Sequence, residues 1–210
     1  MLESEVTKKR AGVVLWGDIW VLQALHELLH RVNEESPIIE DKEGFFLGLA
    51  YDIRKAYEGQ RKKGVRREFD EKCTIWGVEI LWPVLISQVG ILRASMAFIP
   101  TTRRDHALVY ELEAVVESAV KSVMPGKEEK IMGLMHSLGM EQAQIEKTID
   151  SRCLYFLAQP PRERMKVLPG VLESMTGMYS FFAGRNPAGG IPLTAFEKFE
   201  GKGWPMDIQW

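Results

Sequence analysis

Three features that often reveal the class of a protein are scarce in this sequence: cysteine, long apolar runs and an excess of charge. The 210 residues include two cysteines. Cys73 and Cys153 have no His or Cys at metal-ligand spacing, so we expect free thiols in a reducing compartment. No run approaches the roughly 20 apolar residues of a membrane span. Lys and Arg total 27 against 29 for Asp and Glu, a balance that does not favour nucleic acid as a partner.

The N-terminal segment is charged (MLESEVTKKRAG) and lacks an apolar stretch of signal-peptide length. We therefore expect a soluble, cytoplasmic protein with no membrane partner. With 46% hydrophobic residues and no internal repeat, the chain can bury one sizeable core. We predict a single domain over residues 1–210. A possible subdivision near Pro125-Gly126 would separate a hairpin with a four-helix core (1–124) from a helical layer and C-terminal arm (125–210).

The hydrophobic pattern predicts a mainly α fold with a minor β part. The expected architecture is a helical bundle with a small N-terminal antiparallel sheet and an extended C-terminal arm. Weak alternation over residues 2–7 and the β-branched, apolar run 12–16 predict a β-hairpin. Apolar positions at helical spacing predict four long helices, at about 18–33, 45–60, 78–98 and 104–124. Asp18, which follows Gly17, is the predicted N-cap of the first.

The charge-dense segment after the second helix indicates a solvated loop or an exposed hairpin, because its basic and acidic residues nearly cancel. Whether a strand over residues 66–76 pairs with the N-terminal hairpin stays open. The helix predicted over residues 78–98 is apolar on nearly every side, which favours a central, buried position. Its polar residues, Glu79 and Gln88 among them, must find partners or face a cleft.

The last stretch of the chain, residues 187–210, combines many Pro and Gly residues with large apolar side chains. The Pro and Gly content excludes a long helix, yet Phe196, Trp204 and Trp210 would be unusual in a disordered tail. We predict an arm that lies in a groove with its aromatic residues as anchors. The groove belongs to the same chain or to a second subunit, and exchange of arms between protomers would favour a homodimer.

One short motif with a known chemistry occurs in the first helix: His26, Glu27 and His30 form H-E-x-x-H. Residues four apart share a helix face, so both imidazoles can reach one zinc ion with Glu27 beside them as a base. Asp52 or Glu79 would supply the third ligand. This interpretation is the alternative function, a zinc-dependent hydrolase.

Three observations favour a structural role for the motif. Arg31 follows His30 directly, whereas the residues that flank the motif in zinc peptidases are normally uncharged. Neither Asp52 nor Glu79 lies in a recognisable third-ligand motif. Only 25 residues precede His26, too few for the substrate-holding sheet of those enzymes. We therefore predict no cofactor, with zinc only under the alternative.

Two weaker candidate sites remain. Glu27 and His30 also form the E-x-x-H unit of di-iron carboxylate bundles, but that chemistry needs a second unit and the chain has none. Arg103 and Arg104 precede the fourth helix and are candidates for holding an anion at its N-terminus. The competing interpretation is two surface arginines.

Three segments carry a resemblance: LWGDIWVLQALHELLH, FFLGLAYDIRKAYEGQ and GVEILWPVLISQVGILRASMAF. Together they resemble a family of uncharacterised bacterial proteins with no assigned activity, over about residues 11–120. The resemblance implies a bacterial, mostly helical, cytoplasmic protein. It supplies no catalytic residues.

No biochemical activity can be assigned on these grounds. We expect a homo-oligomer or a protein-interaction module, and we favour a non-enzyme because catalytic constellations are missing. The aromatic residues also exceed what one helical core of this size needs, which favours association.

Overall fold

The computed structural model describes residues 1–68, 71–182, 190–205 and 207–210. Residues 187–189 and 206 of the predicted arm lie outside this part. Four strands are described: β1 (Leu2–Val6), β2 (Gly12–Gly17), β3 (Lys62–Glu68) and β4 (Glu71–Leu81). They form one antiparallel sheet in the order β1-β2-β4-β3. The pair β1–β2 confirms the predicted N-terminal hairpin.

Helices make up most of the remaining described residues. They are α1 (Ile19–Glu35), α2 (Leu47–Tyr57), α3 (Trp82–Ser95), α4 (Arg103–Val123), α5 (Glu128–Leu138), α6 (Gln142–Ala158), α7 (Pro161–Glu173), α8 (Gly177–Phe182) and α9 (Thr194–Glu197). The four long helices predicted before residue 125 are all present, but the third begins later than predicted.

The predicted mainly α fold is wrong, because the chain is a mixed α+β protein with a four-stranded sheet. The charged segment, expected to be a solvated loop or an exposed hairpin, contributes β3, which pairs with β4 from Lys62 opposite Gly77 to Glu68 opposite Glu71; the hairpin alternative is therefore the correct one. Residues 78–81 also belong to β4 and not to a helix. Within this apolar run only Glu79 is not buried, and periodicity alone cannot distinguish such a buried strand from a buried helix.

Helix α3 is the central element, as predicted. It packs against α1, α4, α5, α6 and α7, and most of its residues are buried on every side. Pro83 lies in its first turn, where the missing N–H group costs no helical hydrogen bond. The position of α3 directly after β4 brings its N-terminal turn to the sheet, and this junction positions the cavity described below.

Two helix starts are fixed by side-chain caps. The Asp18 carboxylate accepts a hydrogen bond from the Val21 N–H at 2.9 Å, as predicted for the start of α1. At α4, Thr102 and Asp105 form a capping box, in which the Asp105 N–H bonds to Thr102 Oγ1 and the Thr102 N–H bonds to the Asp105 carboxylate. Both caps satisfy N–H groups that have no partner within the helix.

The described part of the C-terminal arm lies in a groove of its own chain. Phe196 on α9 is fully buried, with its ring centroid 4.9 Å from that of Tyr155 and the Arg152 guanidinium 4.2 Å above it. At the other end of the arm, the Trp210 carbonyl accepts a hydrogen bond from the Lys9 N–H at 3.0 Å. Aromatic anchoring of the arm is therefore confirmed, whereas the homodimer stays a prediction.

Two compositional expectations concern thiols and membranes. Cys73 and Cys153 are both free, in agreement with the prediction. Across the described ranges, no helix combines the length and apolar character that crossing a bilayer requires.

Candidate ligand-binding cavity

A cavity of about 560 Å³ lies where α2, β4, α3, α6 and the C-terminal arm meet. Its walls combine apolar side chains with a few polar ones. The lining residues are Gly44, Phe45, Gly48, Asp52, Arg61, Val78, Glu79, Ile80, Leu81, Val84, Gln88, Ile149, Asp150, Trp204, Ile208 and Trp210. Segments that are distant in sequence therefore build the walls together.

The sheet contributes the free edge of β4. Pairing with β3 ends at Gly77, which lies opposite Lys62, so residues 78–81 have no strand neighbour on that side within the part of the chain that the structure describes. The Trp82 N–H bonds to the Ala11 carbonyl at 3.1 Å. Every second residue of β4, counted back from Trp82, therefore directs its main-chain N–H and C=O groups toward β2. The main-chain groups of Glu79 and Leu81 therefore point away from β2, toward the cavity side of the strand.

The α2 side of the cavity is lined by residues four apart: Gly44, Gly48 and Asp52. Gly48 and Asp52 share one face of α2, and Gly44 lies in the loop before the helix. At Gly48 an added Cβ atom would meet only Gln88 Nε2, at 3.6 Å, which is an ordinary van der Waals distance. Gly48 is not needed for close packing, and its missing side chain leaves room in the cavity.

Gln88 is the buried polar residue of the wall. It projects from α3, is 3% exposed, and donates from Nε2 to the Phe45 carbonyl at 2.9 Å. Its Oε1 atom has no hydrogen-bond partner among the described residues. Buried amide oxygens almost always accept a hydrogen bond, so a hydrogen-bond donor to this atom is missing from the wall.

The charged groups of the wall are mostly paired with one another. Asp52 Oδ1 lies 3.0 Å from Arg61 Nη2, and Glu79 Oε1 lies 3.0 Å from Lys62 Nζ. Asp150 Oδ1 accepts a hydrogen bond from Trp204 Nε1 at 3.0 Å. Asp150 thus has a neutral donor where the other two carboxylates have cations.

A further carboxylate lies next to the Gly44 end of the cavity. Burial raises the pKa of Glu146, and the negative charges of Asp41 and Glu40 raise this pKa further, against a hydrogen bond from Gln142 that lowers it. Glu146 Oε1 is close to Gly44, since a Cβ atom on Gly44 would lie 2.7 Å from it. The potential at this end of the cavity is therefore negative.

The arm closes the cavity with Trp204, Ile208 and Trp210. Besides the Lys9 contact of Trp210, the arm is held by Arg164 on α7, whose Nη1 donates to the Gln209 carbonyl at 3.2 Å. The indole of Trp204 is 40% exposed. This wall is built by a segment with few regular elements, so it is the wall that can open with the least disruption of the fold.

The H-E-x-x-H residues lie elsewhere, on α1. His26 and His30 are in edge-to-face contact with ring centroids 4.5 Å apart, and the Tyr57 ring lies 5.7 Å from that of His26. Glu27 and His30 are exposed and His26 is half-buried. Within the described ranges, no group of three or more His, Cys, Asp or Glu side chains is arranged to hold a metal ion. Zinc binding by this pair stays a prediction.

The other candidate residues are placed as follows. Asp52 and Glu79, proposed as third zinc ligands, both line the cavity and are paired with Arg61 and Lys62 as given above. Arg103 and Arg104 are exposed in the first turn of α4, where the Asp105 carboxylate already accepts the Thr102 N–H and lies 2.7 Å from Arg31. Anion binding by Arg103 and Arg104 stays a prediction.

Part of the cavity lining was predicted from the sequence. The expectation that Glu79 and Gln88 face a cleft or find partners is confirmed, and aromatic anchors in the arm were predicted. Gly48 was missed, because a glycine inside an apolar helix pattern carries no signal of what lies opposite. That Asp52 and Glu79 line the same cavity was also missed, because it depends on β4 lying beside α2.

Comparison with known proteins identifies the family and nothing beyond it. No curated protein and no solved structure matches the chain. The model of one family, described as a domain of unknown function (DUF6904), matches residues 2–210. This agrees with the predicted resemblance to an uncharacterised family and extends it from about residues 11–120 to nearly the whole chain. The chain belongs to the DUF6904 family.

Proposed function

We propose that this protein binds a small organic molecule in the cavity between the sheet, α2, α3, α6 and the C-terminal arm. The observation that carries the proposal is Gln88 Oε1, a buried acceptor in the wall with no partner among the described residues. A buried polar atom without a hydrogen bond costs about 1–3 kcal/mol. Oε1 itself is almost inaccessible to solvent, so a ligand donor that removes this cost reaches it after the Gln88 side chain turns toward the cavity.

The size and lining of the cavity support the same function. Its volume of about 560 Å³ falls within the range of small-molecule sites, which are mostly apolar with a few placed polar groups. Phe45, Trp204 and Trp210 supply the aromatic surface, and Asp52 and Gln88 are among the polar groups. The lining contains no serine, cysteine or histidine among the described residues, so we propose binding and name no reaction.

Gly48 gives independent support. Gly48 lies in the first turn of α2. Glycine loses more backbone freedom on folding than alanine does, and alanine would fit here without a clash. The only local consequence of the missing side chain is space beside Gln88. A ligand that occupies this space explains why the helix carries glycine there.

The experiment compares the native protein with a variant whose cavity is filled. Gly48→Leu places an isobutyl group beside Gln88, and Gly133→Leu is the matched control, because Gly133 is exposed on α5 with open space around it. A fragment panel of cationic, neutral and anionic compounds is screened by saturation-transfer NMR. We expect compounds that bind the native protein and Gly133→Leu but not Gly48→Leu. Absence of any such compound would overturn the proposal.

We propose in addition that the protein self-associates through the surface around Trp20. This indole is 76% exposed on α1 and lines a groove with Met1, Ala107 and Leu108, and exposed tryptophan is enriched in protein interfaces. The arm does not support the dimer, since Phe196 is buried in its own chain.

The free thiols support a reducing, cytoplasmic location.

Sedimentation velocity tests this second proposal. We expect a native dimer that becomes a monomer in Trp20→Glu and persists in Tyr51→Glu, a change at another exposed aromatic residue. A native protein that sediments as a monomer at 100 μM, or a Trp20→Glu dimer, would contradict it.

A further inference from the structure

We infer that the ligand of the cavity is an organic cation, a protonated amine or a guanidinium group attached to an apolar body. This inference rests on the proposed binding function and deepens it by naming the chemical class of the ligand. It follows from the hydrogen-bonding character, the charge and the aromatic content of the wall.

The amide of Gln88 and the carboxylates of the wall offer hydrogen-bond acceptors to a ligand. Gln88 Nε2 is used by the Phe45 carbonyl, which leaves Oε1 as the free end of the amide. Ionised carboxylates only accept hydrogen bonds, and each offers about four lone-pair sites. Asp52 and Asp150 each use one oxygen in the contacts described. A ligand that matches this wall must be rich in donors.

Two side-chain donors of the wall are engaged by its carboxylates. The Arg61 guanidinium bonds to Asp52, and the indole N–H of Trp204 bonds to Asp150. An anionic ligand could use the remaining Arg61 donors and the main-chain N–H groups of Glu79 and Leu81, but it would lie beside three carboxylates. A cationic ligand adds to the carboxylates without breaking either contact.

The charge balance points the same way. The lining includes three carboxylates, Asp52, Glu79 and Asp150, against one guanidinium, Arg61. Lys62 pairs with Glu79 but its side chain is 44% exposed, and even when it is counted one negative charge remains uncompensated. The acidic neighbours of Gly44 described above, centred on Glu146, add to this potential.

Aromatic rings supply the second half of cation recognition. Trp204 and Trp210 close the cavity and Phe45 lies in the opposite wall. The face of an indole attracts a cation within about 6 Å of its centroid, and the attraction is strongest for tryptophan. The same rings pack against an apolar ligand body. Carboxylate acceptors and indole rings in the same cavity therefore define a site for an amine with an apolar part.

The test uses three ligands that share one body and differ in charge: tryptamine (cation), tryptophol (neutral) and indole-3-acetate (anion). Binding to the full chain at pH 7 and low salt is measured by isothermal titration and by NMR. We expect tryptamine to bind about tenfold or more tightly than tryptophol, because a charge-assisted hydrogen bond is roughly twice as strong as a neutral one, and indole-3-acetate to bind weakest.

Variants then assign the preference to the wall. Asp150→Asn removes the carboxylate that lacks a cationic partner and keeps an oxygen for the Trp204 N–H. We expect it to weaken tryptamine several-fold and leave tryptophol unchanged. Gln88→Leu should weaken both ligands, because both carry a donor. Glu117→Gln, an exposed change on α4, is the control and should alter neither. Circular dichroism confirms that each variant is folded.

The possible failures of the inference and of the proposed function are distinct. If tryptophol or indole-3-acetate binds as tightly as tryptamine and Gly48→Leu abolishes that binding, the cation inference is wrong and the binding function stands. The cation inference is also wrong, with the binding function intact, if none of the three binds and the fragments lost in Gly48→Leu are not enriched in cations. If no fragment of the panel is lost in Gly48→Leu, the binding function itself fails.

Discussion

His26 is a half-buried imidazole whose pKa is lowered, first because burial disfavours the charged ring and then because His30 and Arg54 add positive charge nearby. An unfolded histidine has a pKa near 6.5, so below that pH the unfolded chain binds a proton that the native state resists. The stabilising contribution of neutral His26 is therefore complete above pH 6.5 and is lost as the pH falls through the native pKa.

We predict that the melting temperature falls less between pH 7.5 and pH 5.0 in His26→Gln than in the native protein. Every other ionisable group is present in both proteins, so the difference reports His26. In His30→Gln, an NMR titration should give His26 a higher pKa that still lies below 6.5, because burial is the largest cause. Equal pH dependence of the melting temperature in both proteins would refute this account.

Gly77 is a position where a side chain is excluded by a neighbour. A Cβ atom there would lie 2.5 Å from Cε3 of Trp16, which faces Gly77 across β2 and β4. We predict that Gly77→Ala destabilises the fold by about 1–3 kcal/mol, the usual cost of overpacking, as measured by urea unfolding. In a Trp16→Leu background the same change should cost less, since the ring that it meets is gone.

A matched control for Gly77 exists on α5. Gly133 has open space around a Cβ atom, so Gly133→Ala should stabilise the protein by roughly 0.5–1 kcal/mol. If both glycine replacements shift the unfolding midpoint in the same direction, contact with Trp16 is not what excludes a side chain at Gly77.

Single residues could be predicted only where their chemistry is local. Asp18 was identified as a helix cap because a cap involves its own first turn. Gln88 was recognised as a polar residue in an apolar helix, but its role depends on Phe45 and on the arm, which contact α3 from distant parts of the chain. No local pattern could show that Gly48 lies opposite Gln88.

At the scale of elements, β3 shows why composition could not choose between a loop and a hairpin. Its sequence, KKGVRRE, has basic residues on both faces of the strand, and neither face meets the core, so the alternation that identifies strands is absent. The strand is nevertheless held by seven residue pairs with β4. Pairing to a well-defined neighbour outweighs the weak strand propensity of a charged segment.

The C-terminal arm provides a prediction at this scale. Phe196 is fully buried against Tyr155 and Arg152, so Phe196→Ala should cost about 3–5 kcal/mol of unfolding free energy. Phe199 is only half-buried, and Phe199→Ala should cost clearly less. Chemical denaturation of both variants measures the difference. Equal, small losses would show that α9 does not anchor the arm.

At the scale of the whole molecule, one hydrophobic cluster runs from Leu2 in the sheet to Met175 beyond α7. The interior therefore crosses the boundary near residue 125 where a subdivision was considered. Secondary-structure patterns could not decide this point, because they show which faces are apolar and not which faces meet. The single domain stays a prediction, and cooperative unfolding is its test.

Arg164 connects the parts of the molecule that are most distant in sequence. It is 4% exposed, and its guanidinium donates to the carbonyls of Lys9 at 2.8 Å, Leu157 at 3.0 Å, Gln159 at 3.2 Å and Gln209 at 3.2 Å. The planar guanidinium can serve several acceptors at once, which an ammonium group cannot match. The N-terminal hairpin, the α6–α7 junction and the arm thus share one donor.

We predict that Arg164→Ala lowers the unfolding free energy by about 2–5 kcal/mol, because several half-buried carbonyls lose their donor. Arg162→Ala, an exposed change on the same helix, should stay within about 0.5 kcal/mol of the native protein. Denaturation is followed by far-ultraviolet circular dichroism and by tryptophan fluorescence. If the chain is one domain, both probes give the same midpoint in every variant, since a shared core unfolds as a unit. Separate midpoints in Arg164→Ala would instead mean that the regions before and after residue 125 are independent units held together by this residue.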